Sequence, residues 1–357
     1  MIENVLVFGA GSIGNHLTHA CRHHGWHVTL CDIDEAALSR TKSTIYPGRY
    51  GAWDPAVNAV LSTEVPHNQY DLVVIGTPPA SHTALIEESL KYSPKAVLVE
   101  KPVSDPSPET LRKLSEASLP ENIQFFVGYD HAVSEAAGII SDRLMNPDVG
   151  DLLSIDVDFR EYWGGIFAAH YWLAGPQDSY LGYWDQGGGC LSEHSHALHL
   201  WLTIARWAGR GDVQTLQATL TYEGDGNVLF DNVASINLRT KCGMVGRVVQ
   251  DVITNPPRKT VDIQCRNARI TWKIGAPKGD EIRVAYSSGE VEDQIIQKKR
   301  PDDFIRELDH INQCLDQGSN ANSPINLSTG IEVMTYITAA HEQNVRERSN
   351  IRVYHGI

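Results

Sequence analysis

The first third of the chain alternates short apolar runs with amphipathic segments. The apolar runs that predict strands are residues 5–8, 27–31, 71–75, 97–99 and 124–128. The amphipathic segments that predict helices are residues 13–24, 35–41, 82–90 and 107–117, and we place a further helix within residues 55–61. Strands that alternate with helices indicate a parallel, doubly wound sheet. We therefore predict an α/β domain over residues 1–125.

The pattern changes in the rest of the chain, where apolar and polar residues alternate with period two. The segments with this pattern are residues 152–160, 213–222, 228–238, 246–253, 260–264, 268–273 and 283–287. Such strands have one covered face and are typical of antiparallel sheets. Helices are predicted at residues 190–208, 302–315 and 327–346. We predict an α+β domain over residues 126–357, built on a large, open, mostly antiparallel sheet, whose last helices can pack back on the first domain.

A glycine-rich turn directly follows the first predicted strand. Gly9, Gly11 and Gly14 form the pattern GxGxxG between a strand and a helix. The first glycine allows the tight turn, the second lets a pyrophosphate approach the backbone, and the third lets the helix pack close to the strand. Asp32 ends the next strand, where an acid can bind both ribose hydroxyls of an adenosine. This unit predicts a Rossmann dinucleotide site, to which the neighbouring positions Ser12, Ile13 and Ile33 also belong.

The acid at residue 32 also bears on the choice of cofactor. A carboxylate there repels a 2′-phosphate, so we predict NAD rather than NADP. Arg40 or Lys42 would reverse this preference by turning toward such a phosphate past Asp32. The free amides at the start of the first helix favour phosphate binding in either case.

Two further turns follow predicted strands of the same sheet. Thr77, Pro78 and His82 lie in the turn after residues 71–75, while Glu100 and Lys101 directly follow residues 97–99. Ligands of open α/β sheets bind outside the carboxyl ends of the strands. We therefore predict that these residues line the cofactor site, and that Lys101 also reaches the substrate.

Composition and charge exclude several classes of protein. The 357 residues carry a formal net charge of −14, which argues against a general nucleic-acid binder and against binding to an anionic membrane. No apolar run reaches the ~18 residues of a transmembrane helix, and we see no basic leader with an apolar core. The six scattered cysteines lack a CxxC pair, so we expect reduced thiols, a cytoplasmic location and no metal site.

In this order and spacing, the motifs resemble the glucose–fructose oxidoreductase / inositol dehydrogenase (Gfo/Idh/MocA) family over essentially the full chain. The matching segments are residues 9–14, 77–82, 100–102, 127–129 and 187–189, the last followed by a histidine-bearing helix. The resemblance implies NAD(P)-dependent oxidation or reduction of a sugar, nucleotide sugar or cyclitol. It also implies a cytoplasmic homodimer or homotetramer, in which the second-domain sheet often forms the subunit contact.

The resemblance also assigns the proton-transfer groups. Lys101 would hold the substrate hydroxyl, and a histidine suits the proton transfer because its pKa lies near neutrality. His196 is our candidate base, and Glu193, three residues earlier, would share its helical face. The segment is one residue shorter than the common family version, and His199 replaces the usual downstream Asp. His194 and His199 therefore remain alternatives, each with a packing role as the simpler interpretation.

Fewer motifs point to the substrate site than to the cofactor site. Asp130 stands where the family often has an asparagine and would contact the nicotinamide ribose or the substrate, with Tyr129 beside it. Residues 159–184 are rich in aromatic and polar groups, which suit a sugar or a base. From this segment we predict Arg160, His170 and Trp172 as substrate contacts, although a packed lid or an oligomer interface explains the same composition equally well.

The same motifs fit two other functions. One is a redox-neutral glycoside hydrolase of the same fold, which retains NAD and oxidises and re-reduces the sugar transiently. The other is a non-catalytic sensor of NAD or sugar. Proton-transfer groups at Lys101 and His196 argue against the sensor, which has no need of them.

Overall fold

The computed structural model describes residues 1–169 and 172–344, and its chain forms two compact units. The first unit contains residues 1–104, 112–133 and 299–331. The second contains residues 105–111, 134–298 and the chain from 332 onward. The boundary expected at residue 125 falls inside a strand of the first unit, and a C-terminal segment completes that unit.

The first unit is a six-stranded parallel sheet with helices between its strands. Its strands are β1 (Asn4–Phe8), β2 (His27–Asp32), β3 (Val57–Leu61), β4 (Leu72–Ile75), β5 (Ala96–Val99) and β6 (Gln124–Val127). The helices within this stretch are α1 (Ser12–His23), α2 (Glu35–Arg40), α3 (Tyr46–Tyr50), α4 (His82–Ser89) and α5 (Pro108–Glu116). The strand order is β3-β2-β1-β4-β5-β6, which confirms the doubly wound parallel sheet.

The helix predicted within residues 55–61 is wrong, because this segment forms β3. β3 pairs in parallel with β2, from Val28 opposite Val57 to Asp32 opposite Leu61. It is an edge strand of which only Val57 is buried, so it lacks the continuous apolar pattern of the inner strands. The helical region before it is longer than predicted, since a π-helical turn over Thr41–Ile45 joins α2 to α3.

The C-terminal part of the first unit covers the other edge of the sheet. Helix α10 (Asp302–Gln317) packs against α1, where the Phe304 and His16 rings stack with their centroids 5.2 Å apart. Past α10, the Ile325 carbonyl accepts a hydrogen bond from the Val127 amide at 2.8 Å. The Asn320 side chain donates to the Phe125 carbonyl at 2.9 Å. β6 is thereby paired on both sides.

The second unit is built on an eight-stranded sheet. Its strands are β7 (Leu152–Tyr162), β8 (Val213–Asp225), β9 (Val228–Thr240), β10 (Val245–Asp251), β11 (Ile253–Cys265), β12 (Ala268–Ala276), β13 (Gly279–Tyr286) and β14 (Val291–Ile296). The order is β14-β13-β12-β11-β7-β10-β9-β8. Only the β7–β10 pair is parallel among these pairs, which confirms a large, mostly antiparallel sheet.

Helices cover one face of this sheet and lie in its connections. They are α6 (Glu135–Met145), α7 (Trp163–Ala169), α8 (Gly189–Glu193) and α9 (His196–Trp207), and the last helix of the described chain is α11 (Leu327–Gln343). α9 packs on β7 and β10, with the Trp201 indole donating to the Ile155 carbonyl at 3.0 Å. The predicted end of the last helix at residue 346 lies outside the described residues.

The single helix predicted over residues 190–208 is wrong, because the chain leaves helical geometry at His194, between α8 and α9. Two fully buried residues of the sheet hold α8 at its ends. The Asp231 carboxylate accepts from the Leu191 amide at 2.7 Å, near the start of α8. The Gln250 side-chain amide donates to the His194 carbonyl at 2.7 Å, at its end. This carbonyl is therefore bonded to the sheet.

No helix within the two described ranges is both long and apolar enough to cross a membrane. All six cysteines are free thiols, and five of them are buried.

Candidate active site

The glycine-rich turn has the geometry that a dinucleotide requires. Gly9 has a φ of +99°, a conformation that favours glycine, and a Cβ there would lie 2.8 Å from the Gly76 carbonyl oxygen. A Cβ on Gly14 would lie 1.8 Å from the Gly9 carbonyl oxygen, so the start of α1 can approach the turn only with glycine there. A Cβ on Gly11 would meet nothing within 4 Å. The space beside Gly11 fits a pyrophosphate that approaches the backbone.

Helix α1 begins at Ser12, with Ile13 in its first turn. Gly11 provides no side-chain cap, and the first turn contains no acidic residue. Amides at such a helix start carry partial positive charge and favour a bound anion. This end of α1 therefore fits the phosphates of NAD.

The Asp32 carboxylate at the end of β2 is oriented by two backbone amides. One oxygen accepts from the Ala10 amide at 2.7 Å, and the other accepts from the Asp34 amide at 2.9 Å. These bonds tie the end of β2 to the glycine-rich turn. Ile33 beside it is 88% exposed, as suits a residue that would lie against a ligand. The ribose contact of Asp32 remains a prediction.

The turn after β4 is held from behind by His82. The His82 ring is fully buried, and its Nε2 lies 2.8 Å from the Thr77 carbonyl oxygen. Burial lowers the pKa of His82 to about 4, so the ring is neutral at physiological pH. Thr77 and Ser81 share a hydroxyl–hydroxyl bond of 2.6 Å beside Pro78. A ring in this position would support the cofactor site through the Thr77–Pro78 backbone.

Glu100 and Lys101 directly follow the buried strand β5. Glu100 is 5% exposed, and its carboxylate accepts from the Lys101 amide at 3.2 Å. A Cβ on Gly128 would lie 2.8 Å from a Glu100 carboxylate oxygen, so glycine at 128 makes room for this acid. Lys101 is partly exposed and precedes a cis peptide bond to Pro102. The geometry places Lys101 at the carboxyl edge of the sheet, as predicted, while its catalytic role remains a prediction.

Residues 129 and 130 differ in how they fit their predicted roles. Tyr129 is fully buried, a position that suits packing better than direct contact with a sugar. Asp130 is 9% exposed and begins a short turn, with its carboxylate 3.3 Å from Nδ1 of His131.

Glu307 on α10 is an acid of this unit that the sequence analysis did not single out. It is fully buried, and neither carboxyl oxygen has a hydrogen-bond partner in the part of the chain that the structure describes. Burial and the nearby acids Glu100, Asp130 and Asp303 raise its pKa well above the usual value. The raised pKa favours the protonated, neutral form of this acid. The available signal was its position on the same helical face as Phe304, Leu308 and Ile311.

In the second unit, the junction of α8 and α9 carries the candidate base. Glu193 is the last residue of α8 and His196 is the first residue of α9, so the expectation that they share one continuous helical face is wrong. Both side chains are partly exposed, whereas His194 and His199 are 4% and 1% exposed. The Tyr180 hydroxyl donates to Glu193 at 3.3 Å. Exposure favours His196 over the other two histidines as a group that meets a substrate.

Glu161, at the end of β7, was missed by the sequence analysis. One carboxylate oxygen lies 2.5 Å from Nζ of Lys259, and the other lies 3.9 Å from Nε2 of His194. Glu161 thus links a cation of β11 to the junction of α8 and α9. The sequence offers no signal for it, because pairing across the sheet brings these residues together.

The three predicted substrate contacts of this unit have different outcomes. Arg160 donates to Asp158 and to Asp251, each at 2.7 Å. Burial alone would lower the pKa of Arg160, but these two bonds outweigh it and raise the pKa. A substrate would have to compete with both carboxylates for the Arg160 guanidinium. Trp172 is partly exposed, and His170 lies outside the described residues.

Comparison with known proteins agrees with this geometry. Residues 3–129 match the sequence model GFO_IDH_MocA, an oxidoreductase family with an NAD-binding Rossmann fold. No curated protein matches the chain in sequence.

Solved structures match nearly the whole chain in fold. Levoglucosan dehydrogenase, in complex with NADH and levoglucosan, has a TM-score of 0.74 at 15% identity, with 97% of each chain covered. The WlbA dehydrogenase from Bordetella pertussis, in complex with NADH and UDP-GlcNAcA, has a TM-score of 0.70 at 17% identity, with 100% of each chain covered. An oxidoreductase from Agrobacterium radiobacter, in complex with NAD⁺, L-tartaric acid and magnesium, has a TM-score of 0.71 at 20% identity, with 98% of each covered. At these identities the matches establish the fold.

Proposed function

Because residues 3–129 belong to the Gfo/Idh/MocA family of NAD-binding oxidoreductases, we propose that this protein is a sugar dehydrogenase or reductase. It transfers hydride between nicotinamide and a secondary alcohol or ketone carbon of a sugar, nucleotide sugar or cyclitol. The observation that carries the proposal is the glycine-rich turn. Gly9 and Gly14 leave no space for a side chain, whereas Gly11 has space beside it, next to an uncapped helix start.

The proposed chemistry needs one proton acceptor and one group that holds the substrate oxygen. In the oxidative direction, NAD⁺ accepts the hydride from the carbon, and the hydroxyl proton leaves to a base. Lys101 is proposed to donate a hydrogen bond to the substrate oxygen and to stabilise its developing negative charge. His196 is proposed to accept the proton, so that the products are a ketone, NADH and one proton. The reductive direction returns the same proton from His196.

The first experiment measures binding of NADH and NADPH to the purified protein, followed by turnover with a panel of sugars, nucleotide sugars and cyclitols. The panel includes levoglucosan and UDP-linked sugars because fold neighbours were crystallised with such ligands. We expect NADH to bind more tightly than NADPH because of Asp32. Failure to bind either cofactor would refute the proposal.

The catalytic residues are tested by substitution. Lys101→Met and His196→Gln are each expected to lower kcat by about 100-fold or more while NADH affinity stays close to wild type. Lys95→Met is the matched control, because Lys95 lies just before β5 and forms a surface pair with Asp71. Full activity in either test variant would refute its assigned role.

The same preparation separates the two alternatives. Mass spectrometry of the denatured protein detects any retained dinucleotide or sugar. Retained NAD with release of sugar from a chromogenic glycoside, and no net change in NADH absorbance, would favour the redox-neutral hydrolase. Binding of NAD or sugar without turnover of any panel member would favour the sensor.

We also propose a cytoplasmic homodimer or homotetramer that associates through the open face of the eight-stranded sheet. That sheet carries exposed apolar side chains on its strands, at Val245, Ile253, Val291 and Ile295. The six free thiols fit a reducing compartment. Light scattering of the wild type and of Val245→Lys tests the assembly, and a wild-type monomer would refute it. Cell fractionation tests the location.

A further inference from the structure

An arginine contacts the first residue of α1 from outside the glycine-rich turn. Arg49, on α3, donates to the Ser12 carbonyl oxygen at 2.9 Å and to the Ser12 hydroxyl at 2.8 Å. A guanidinium has five N–H donors, so these two bonds leave three for another acceptor. Arg49 is partly buried, which increases the strength of its interaction with any nearby charge.

The position of Arg49 is held by packing between α3 and α1. The Tyr50 ring stacks on His19 with a centroid distance of 3.7 Å, and the Tyr50 hydroxyl bonds to the His16 ring. The Tyr46 hydroxyl lies 3.1 Å from Nδ1 of His19. Because both flanking tyrosines are anchored to α1, the short helix presents Arg49 to Ser12 with little freedom.

A second arginine lies near the first. Arg300 precedes α10, and its guanidinium lies over the Phe304 ring at 5.9 Å from the centroid. Burial lowers the pKa of Arg49, Tyr50 offsets part of this effect, and the charge of Arg300 lowers the pKa further. Neither arginine forms an ion pair with an acid of residues 1–169 or 172–344. A bound anion would offset the repulsion between these two cations.

The identity of that anion follows from where Ser12 lies. Residues 9–14 carry no charged side chain, so the turn itself supplies only backbone amides to the dinucleotide. The pyrophosphate lies at the start of the helix that follows such a turn, whereas Asp32 is the residue placed for the ribose 2′-hydroxyl. A diphosphate carries two negative charges, which two arginines can neutralise.

We propose that Arg49 and Arg300 bind the pyrophosphate of the dinucleotide and supply the positive charge that the glycine-rich turn lacks. The proposal rests on the dinucleotide site of the proposed function and adds two specific residues to it. Arg49 contacts the phosphate oxygens while remaining bonded to Ser12, and Arg300 contributes charge from the start of α10.

Binding of ligand fragments by calorimetry tests this assignment. NADH and ADP-ribose contain the diphosphate, and adenosine lacks it. Arg49→Gln is expected to weaken the binding of NADH and of ADP-ribose by about tenfold or more, because a hydrogen bond to a charged group contributes at least that factor to affinity. Adenosine binding should stay unchanged. Arg300→Gln should weaken the binding of the same two ligands by a smaller factor. Arg49→Lys keeps the charge, so its affinity should lie between those of Arg49→Gln and the wild type.

Arg22→Gln is the matched control. Arg22 is a partly buried arginine near the other end of α1, where it pairs with Asp54 at 2.7 Å. Its loss is expected to lower the melting temperature without changing the affinity for NADH. A thermal melt of Arg49→Gln without ligand shows whether this variant folds. If it does not fold, Arg49→Lys is used for the binding test instead.

Three results would overturn the assignment. They are an unchanged affinity for ADP-ribose when Arg49→Gln and Arg300→Gln are combined, an equal loss of affinity for adenosine, and a larger loss for 2′-phospho-ADP-ribose than for ADP-ribose. The last would place the arginines at a 2′-phosphate. A wild-type protein that binds NADH but turns over no sugar refutes the proposed function alone. Variants that bind NADH like wild type refute the arginine assignment alone.

Discussion

The hydrogen bonds from Gln250 to the end of α8 make a quantitative prediction. Gln250 is fully buried, and its side-chain amide donates to the carbonyls of His194 at 2.7 Å, Cys190 at 3.2 Å and Leu191 at 3.4 Å. We expect Gln250→Met, which keeps the length and flexibility of the side chain, to release the junction between α8 and α9.

The magnitude follows from which groups lose a partner. The short bond to His194 is worth about 1 kcal/mol net. The His194 carbonyl also accepts from the Ala197 amide at 2.8 Å, so it keeps a partner when the Gln250 amide is removed. The two longer bonds contribute less because of their distance. Oε1 of Gln250 has no hydrogen-bond partner in the described chain, so removing this buried polar atom offsets part of the destabilisation. We expect a net destabilisation of about 1 kcal/mol, or about 2–4 °C in the melting temperature of a unit of this size.

The assay combines thermal melts with steady-state kinetics. Because His196 directly follows the released segment, kcat should fall by roughly 100-fold, the usual effect of a displacement near 1 Å, with little change in NADH affinity. Gln264→Met is the matched control, because Gln264 donates to two carbonyls of the same sheet but is exposed. A melting temperature and kcat equal to wild type in Gln250→Met would refute the idea that this residue holds the junction.

Three other predictions concern the first unit. Gly14→Ala should lose both stability and NADH binding, because its Cβ would lie 1.8 Å from the Gly9 carbonyl oxygen. Gly11→Ala should have the melting temperature of the wild type and lose only NADH binding. Equal melting temperatures of the two variants would contradict this prediction. Burial lowers the pKa of His82 from 6.5 to about 4, so the unfolded chain binds this proton at a higher pH than the folded protein does. The free energy of unfolding should therefore decrease as pH falls between these values, by about 3 kcal/mol at the acid limit. Urea midpoints that follow the same pH curve in His82→Gln would refute that. The pKa of Glu307 is raised by burial and by nearby acids, so wild-type stability should fall as pH rises above about 4, the unfolded value. Glu307→Gln should therefore gain urea resistance relative to wild type between pH 5 and pH 8, and no gain would show that Glu307 is ionised.

The parts of the fold that could be predicted are those encoded by local pattern. Continuous apolar runs identified the inner strands, and period two identified most of the eight-stranded sheet. β3 was mistaken for a helix because an edge strand has little buried surface and Asn58 interrupts its apolar residues. α6 was not predicted, although Ser134 caps it by accepting from the Ala137 amide, a local signal that the sequence carries.

The candidate site was less predictable, because contacts between distant segments shape it. No glycine or proline marks the break at His194, which coincides with the bond from Gln250, about 55 residues later in the chain. Glu161, Lys259 and His194 come together only when β7 pairs with β11. Glu307 had a visible signal as an acid on an apolar helical face. Its neighbours Glu100 and Asp130 belong to other elements, so their proximity to Glu307 could not be predicted from the sequence.

The pairing of β6 with the C-terminal segment has a consequence for biosynthesis. The backbone groups of Phe125 and Val127 bond to Asn320 and Ile325, which leave the ribosome about 200 residues later. At a synthesis rate of ~5–20 residues per second, the nascent sheet therefore waits ~10–40 seconds with this edge unpaired. An unpaired edge of apolar residues is a site for aggregation. Ribosome-bound chains that stop before residue 320 are thus the clients that a chaperone would have to protect.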